Sequence, residues 1–115
     1  MAYLDYGTTY YQITYADPKL TIPGLKPMVY LGMNLFGTEK EDTHYFQDTV
    51  SVQVFGLLSE ATDTTDCKVS SCTENEIGVD VLSLEEAVEE IHKAAAKAKR
   101  LGYPKLKKVE GEWKQ

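Results

Sequence analysis

The chain lacks nearly every pattern that announces a reaction or a membrane. Its apolar runs stay well below the roughly 18–20 residues that a spanning helix requires. Its opening, MAYLDYGTTYY, has no basic start followed by an apolar block of the secretory type. The default compartment is therefore the cytoplasm, where thiols stay reduced. There are two cysteines and two histidines, too few and too scattered for the four short-paired ligands of a structural zinc site. No glycine-rich phosphate loop, G-x-S-x-G elbow, H-E-x-x-H or C-x-x-C occurs, and the eight glycines stand singly, as turn markers do. These absences leave no cofactor, no metal and no catalytic residue to expect, and they point the question of function toward binding.

What is present is an ordinary globular composition with unevenly placed charge. The 115 residues are 43% hydrophobic and 26% charged, which suits one domain over 1–115 with a single core and a docked or flexible tail at 104–115. The formal net charge is −6. Residues 1–92 carry four Lys or Arg against sixteen Asp or Glu, a balance of −12, whereas residues 93–115 carry eight against two, a balance of +6. An acidic body repels nucleic acid and favours a basic partner. The basic cluster of Lys93, Lys97, Lys99, Arg100, Lys105, Lys107 and Lys108 reads first as a complement to a helix C-terminus.

That helix is the segment on which every local signal agrees, SLEEAVEEIHKAAAKAKRLG from Ser83 to Gly102. Ser83 and Glu86 form a capping box. Leu84, Ala87, Val88, Ile91, Ala95, Ala98 and Leu101 recur at spacings of three and four, which lines one stripe for burial. Glutamates crowd the first turns and Lys97, Lys99 and Arg100 the last, each complementing the macrodipole. Gly102 offers a left-handed stop, with Pro104 just beyond.

Upstream, the patterns read as strands. TTYYQITY, Thr8 to Tyr15, is rich in aromatic and β-branched residues and places Tyr11, Ile13 and Tyr15 on one face. KLTIPGLKP reads as a loop bent at Pro23-Gly24 and Pro27. Met28 to Phe36 is apolar on both faces, as a strand covered on two sides would be. After the charged turn GTEKED, the segment His44 to Phe55 alternates Val50, Val52 and Val54 with polar residues, the pattern of a half-buried strand and the second arm of a hairpin. LLSEATDTTD is a loop that opens with either a strand extension or a short helical turn. Cys67 to Thr73 is a weak strand, Glu74 and Asn75 a turn, and Ile77, Val79 and Val81 a further short strand. Leu106, Val109 and Trp113 in the tail have the apolar character to dock on the body. Strands first and one long helix last predict an α+β fold, a mostly antiparallel sheet of four or five strands with the C-terminal helix packed on one face.

One helix covers one face, so the second face, carrying Tyr10, Gln12, Thr14, Tyr30, Ser51 and Gln53 in these registers, is where function is expected. Eight tyrosines are the strongest compositional bias, with Tyr3, Tyr6, Tyr10, Tyr11 and Tyr15 crowded into the first fifteen residues. Tyrosine suits interfaces because it offers area at low entropic cost, although it also simply fills half-buried sheets. The leading expectation is a cytoplasmic module, not an enzyme, that binds a basic protein partner or itself through Tyr10, Tyr11, Tyr15, Tyr30 and Tyr45, in the manner of an inhibitor, an immunity protein or a regulatory subunit. The alternative is a small-molecule binder or minor enzyme using His44 and Asp48 of DTHYFQD, with Tyr30 and Tyr45 beside them, in a pocket between helix and sheet or at a dimer seam. An Asp-His-Asp pattern at a strand entrance is more often solvated surface, and general-base work needs a pocket as well. His92 falls at the edge of the helical stripe. Cys67 and Cys72, five apart, point to opposite faces of a straight strand, so two reduced thiols outweigh a bridge or a metal pair.

Overall fold

The computed structural model describes residues 4–61, 64 and 66–108; Tyr3, Val109 and Trp113 lie outside them. Aromatic and β-branched residues form β1, Thr9–Tyr15, which pairs antiparallel with β2, Pro23–Met33. The hairpin continues into β3, Thr43–Asp48, and the sheet is completed by β4, Val69–Thr73, and the two-residue β5, Val81–Leu82. All pairings are antiparallel, in the order β4-β3-β2-β1-β5. Two helices follow strands: α1, Thr49–Phe55, and α2, Leu84–Arg100. The α+β class, the five-strand antiparallel sheet and the long C-terminal helix are as predicted.

β2 begins five residues earlier than expected, because Pro23-Gly24 is strand and not turn. The reversal lies upstream, where the Asp17 carboxylate accepts hydrogen bonds from the Thr21 and Ile22 amides and the Thr21 hydroxyl, and Leu20 adopts φ 59°. Two prolines survive in this strand because of backbone parity. The Tyr30 amide donates to Thr8 in the direction of β1, so even-numbered residues of β2 serve β1 and odd-numbered ones face the other way. Pro23 and Pro27 therefore turn their missing N–H toward an edge where β3 supplies no partner, since β3 pairs only from Met28 onward.

The same parity corrects the largest misreading, the strand expected through Phe55. Val29 faces Gln47 and Met28 faces Asp48, so the next ladder bonds would need the amide that Pro27 lacks. β3 stops at Asp48, whose carboxylate caps α1 by accepting from the Val50 and Ser51 amides at 3.1 and 3.3 Å. Val50, Val52 and Val54 thus alternate along a helix, and Val50 and Val54 are left 61% and 65% exposed. Gln47 locks this corner. Fully buried, it donates to Ser51 Oγ and to the Gly56 carbonyl, and its Oε1 accepts from the Leu58 amide, each at 2.8–3.0 Å. Leu57 then opens a short helical turn, accepting from the Glu60 and Ala61 amides.

Both faces of the sheet are covered except at the end of the β1–β2 hairpin, where Thr14, Leu25 and Lys26 are exposed. On one, Ile13, Leu82 and Ala87 pack with Tyr11 and Tyr15 beneath α2. On the other, Tyr10, Met28, Tyr30, Phe46 and Cys72 are sealed by Leu4 and by Ile77 of the connection to β5. Tyr10, Tyr30 and Phe46 meet edge-on or tilted, with centroids 5.3–6.3 Å apart. Of the face expected to be bare, Tyr10 and Tyr30 belong to a second core, Gln12 is half-buried and Thr14 exposed, and Ser51 and Gln53 belong to α1. Ile77 and Val79 do not extend β5. Glu74–Glu76 is a single 3₁₀ turn, Ile77 makes an isolated bridge to Val81, and Val79 is exposed.

α2 is capped as predicted. The Ser83 hydroxyl accepts from the Glu86 amide, and the Glu86 carboxylate accepts from the Ser83 amide. At the other end the Tyr103 amide donates to Ala98 and the Gly102 amide to Lys99, with Gly102 at φ 77°, which is a Schellman closure. The buried stripe, however, is rotated. Ala87, Ala94 and Ala98 are buried against the sheet, whereas Leu84 and Val88 are 56% and 61% exposed and Ala95 and Leu101 also face out. Leu106 is exposed as well. α2 lies mainly over β1 and β5, a contact strip narrower than the seven-residue apolar arc.

Replacing Gln47 with leucine keeps the volume and removes three hydrogen bonds, stranding the Leu58 amide and the Gly56 carbonyl. The expected loss is about 2–4 kcal/mol, read by urea denaturation. Unchanged stability would show that water or relaxation satisfies those groups.

Candidate functional site

The most concentrated chemistry lies where β2, β3 and β4 meet. Cross-strand register sets His44 opposite Cys72, and Tyr30 lies on the same face one strand away. The Tyr30 hydroxyl is 2.9 Å from His44 Nδ1, and His44 Nε2 is 2.5 Å from Glu74 Oε2 at the start of the 3₁₀ turn. An ionised Glu74 accepts only, so Nε2 carries the hydrogen. Nδ1 shares its hydrogen bond with the Tyr30 hydroxyl. The Tyr30 hydroxyl is pushed above its ordinary range by burial, then by the negative Glu74 and by Cys72 and Tyr10. Both ring nitrogens are committed, and His44 is 6% exposed.

Cys72 stands opposite His44, but its surroundings oppose a nucleophilic role. Burial raises its thiol to about 11, helped by the negative charge of Glu76, Glu74 and Asp80. Attack requires the thiolate, and a thiol held this high is protonated at neutral pH. The cluster acts as a clip, joining the turn that bears Ile77 to the sheet that Ile77 covers.

The other sequence-predicted residues are dispersed. Asp48 is the α1 cap and does not join His44. Asp42 accepts from the Asn34 side chain. The Tyr45 hydroxyl donates to Glu39 Oε2 at 2.5 Å and its ring meets Phe36 edge-on at 4.9 Å; this bond raises Tyr45 and lowers Glu39. Tyr11 and Tyr15 are half-buried under α2, where burial, then Glu90, raises the Tyr15 hydroxyl while Lys93 opposes. Tyr10 and Tyr30 are core residues, the Tyr10 hydroxyl accepting from the Asp5 amide. The five tyrosines therefore share no face. Among the described residues, no three His, Cys, Asp or Glu side chains are placed to hold a metal ion, and no helix is long and apolar enough to cross a membrane.

Two apolar hollows are open to a partner. Leu84, Val88, Ile91 and Ala95 form a seam along α2, and with Leu25 of β2 they line a groove of about 280 Å³. Leu25 stands on the stretch of β2 that β3 does not pair, and His92 borders the same groove. A second hollow, about 290 Å³, lies against Val50, Val54 and Phe55 of α1, with Asp48, Asp66 and Lys68 at its rim. The sequence reading placed Leu84, Val88, Ile91 and Ala95 in a buried stripe. The signal that three of them, Leu84, Val88 and Ala95, face out is the width of the arc, which exceeds what one narrow sheet edge covers.

No protein-family model, curated protein or solved structure matches this chain.

The raised thiol makes two measurable statements. Cys72 should resist alkylation at neutral pH until the chain is unfolded, as read by mass mapping of the modified residue. Because its folded value of about 11 exceeds the reference of 9.0, the unfolded state releases the proton first. Stability held below pH 9 is therefore lost as pH rises toward 11, by about 2–3 kcal/mol. Cys72→Ala should flatten that part of the decline; identical slopes in the two proteins would refute the assignment.

Proposed function

We propose that the chain is a protein-interaction module whose docking surface is the exposed seam of α2 together with Leu25. The observation that supports it is the exposure of Leu84 and Val88, 56% and 61%, on a helix that buries only Ala87, Ala94 and Ala98 among the described residues. An apolar groove flanked by charged residues is the arrangement by which an amphipathic helix is received. The sheet face first expected to serve this purpose buries its tyrosines, Tyr10 and Tyr30, so the surface moves to the helix that was expected to cover the sheet. Glu85 and Glu89 stand beside the seam, and the acidic body around it favours an encounter with positive charge. The committed nitrogens of His44 and the protonated thiol of Cys72 support a binding role over a catalytic one.

The test is gentle isolation of the tagged protein from its own cells, as wild type, Val88→Glu and Gln53→Glu. Wild type and Gln53→Glu, which alters an exposed residue of α1, should recover the same stoichiometric polypeptide, a different protein or a second copy. Val88→Glu should lose it. Identical recovery by all three proteins would remove the seam as the docking surface.

A further inference from the structure

Resting on that reading, we infer that the occupant of the α2 seam is a second copy of this chain, with the two α2 helices packed antiparallel about a twofold axis near Val88, Ile91 and Ala95. Charge placement along the helix carries the inference. Glu85 and Glu89, four apart, share a row beside the seam, and Lys99, four after Ala95, falls between that row and the seam, so all three lie on the same side of it. All three are exposed, as is Arg100 at the same end. The flank is acidic in its first half and basic in its second.

A twofold axis across the middle of such a helix sets the acidic half of one copy against the basic half of the other, twice. A parallel pair would set glutamate on glutamate and lysine on lysine. The antiparallel arrangement also opposes the two macrodipoles. It makes the interface isologous, so that it closes at two copies and leaves no second surface for growth. Along the seam, Val88 comes opposite the small Ala95 of the other helix, and small residues at a crossing allow close approach of the two backbones. The same order complements the macrodipole within each helix, and the antiparallel pair adds a complement between helices; the described salt bridge within α2 is Lys93 with Glu90.

Sedimentation equilibrium or native mass spectrometry of the purified protein, from about 1 µM to about 1 mM, reads the proposal directly. Wild type should show a monomer–dimer equilibrium, and Val88→Glu should weaken it at least about tenfold. Glu85→Lys and Lys99→Glu should each weaken it about two- to fivefold, and the double exchange should restore it to within about twofold. All variants alter exposed residues, and a circular-dichroism melt checks that each is folded. A strict monomer overturns the self-pairing, whether the seam is then held by residues 109–115, which deletion of that segment would reveal, or by another protein. That result leaves the α2 docking surface standing. A dimer indifferent to Val88→Glu overturns both readings, because its interface lies elsewhere. A dimer that needs Val88 and is not restored by the double exchange overturns the antiparallel order.

Discussion

The absent amide hydrogen of Pro27 is the constraint from which much of this architecture follows. Backbone parity points that position of β2 toward β3, so the ladder cannot continue past the Met28–Asp48 pair. The chain must leave the sheet there, and Asp48 converts the exit into a helix start by capping α1. A row of valines that would otherwise prolong the strand is carried onto a helix. On the other side of the same proline, β2 runs on from Pro23 with one edge open, and Leu25 stands where no third strand crosses. The groove beneath the α2 seam exists because the sheet is narrow at that end.

Buried polar groups then fix the loops that the sheet alone would leave loose. Gln47 binds α1 and the turn after it to β3, while His44 binds the 3₁₀ turn to β3 and, through Tyr30, to β2. Each is almost completely enclosed, and each has every strong hydrogen-bonding group of its side chain engaged. A half-satisfied group in either place would cost more than the whole contact provides. This explains why the residue that looked most catalytic in the sequence is the least available: its hydrogen-bonding capacity is spent on holding the second core shut.

The parts of the fold legible in the sequence are those decided locally. Ser83, Glu86, Gly102 and the heptad-like spacing specify α2 within some twenty residues, and cap, stripe and stop agree. The TTYYQITY strand and the double burial of Met28 to Leu31 are equally self-contained. The failures are non-local. TVSVQVF has the period of a strand, and only the register of β2 against β3 reveals that no partner is available for it. PGLKP has the composition of a turn, and only the parity set by Tyr30 and Thr8 makes its prolines harmless in a strand. The candidate site failed for a related reason. Tyrosine count could not separate a displayed face from a core, because the covering elements, Leu4 and Ile77, are too short to register as layers. Nor could periodicity tell how much of an apolar arc a sheet edge would cover.

Charge acts on two length scales in this protein. The acidic residues before position 93 give the body a long-range repulsion toward another such body, and this would slow an encounter between copies. At physiological ionic strength that repulsion is screened beyond about 8 Å, whereas pairs formed across a helix seam lie inside that distance. The sign of the sequence's charge changes at residue 93, in the middle of α2, so each helix carries its own complement. Net charge therefore says little about whether two copies associate. What decides it is the order of charges along one flank, and that order distinguishes the antiparallel from the parallel arrangement even where the apolar seam accepts both. The seam supplies the affinity, since exposed ion pairs contribute about 0–1 kcal/mol each, and the flank supplies the direction.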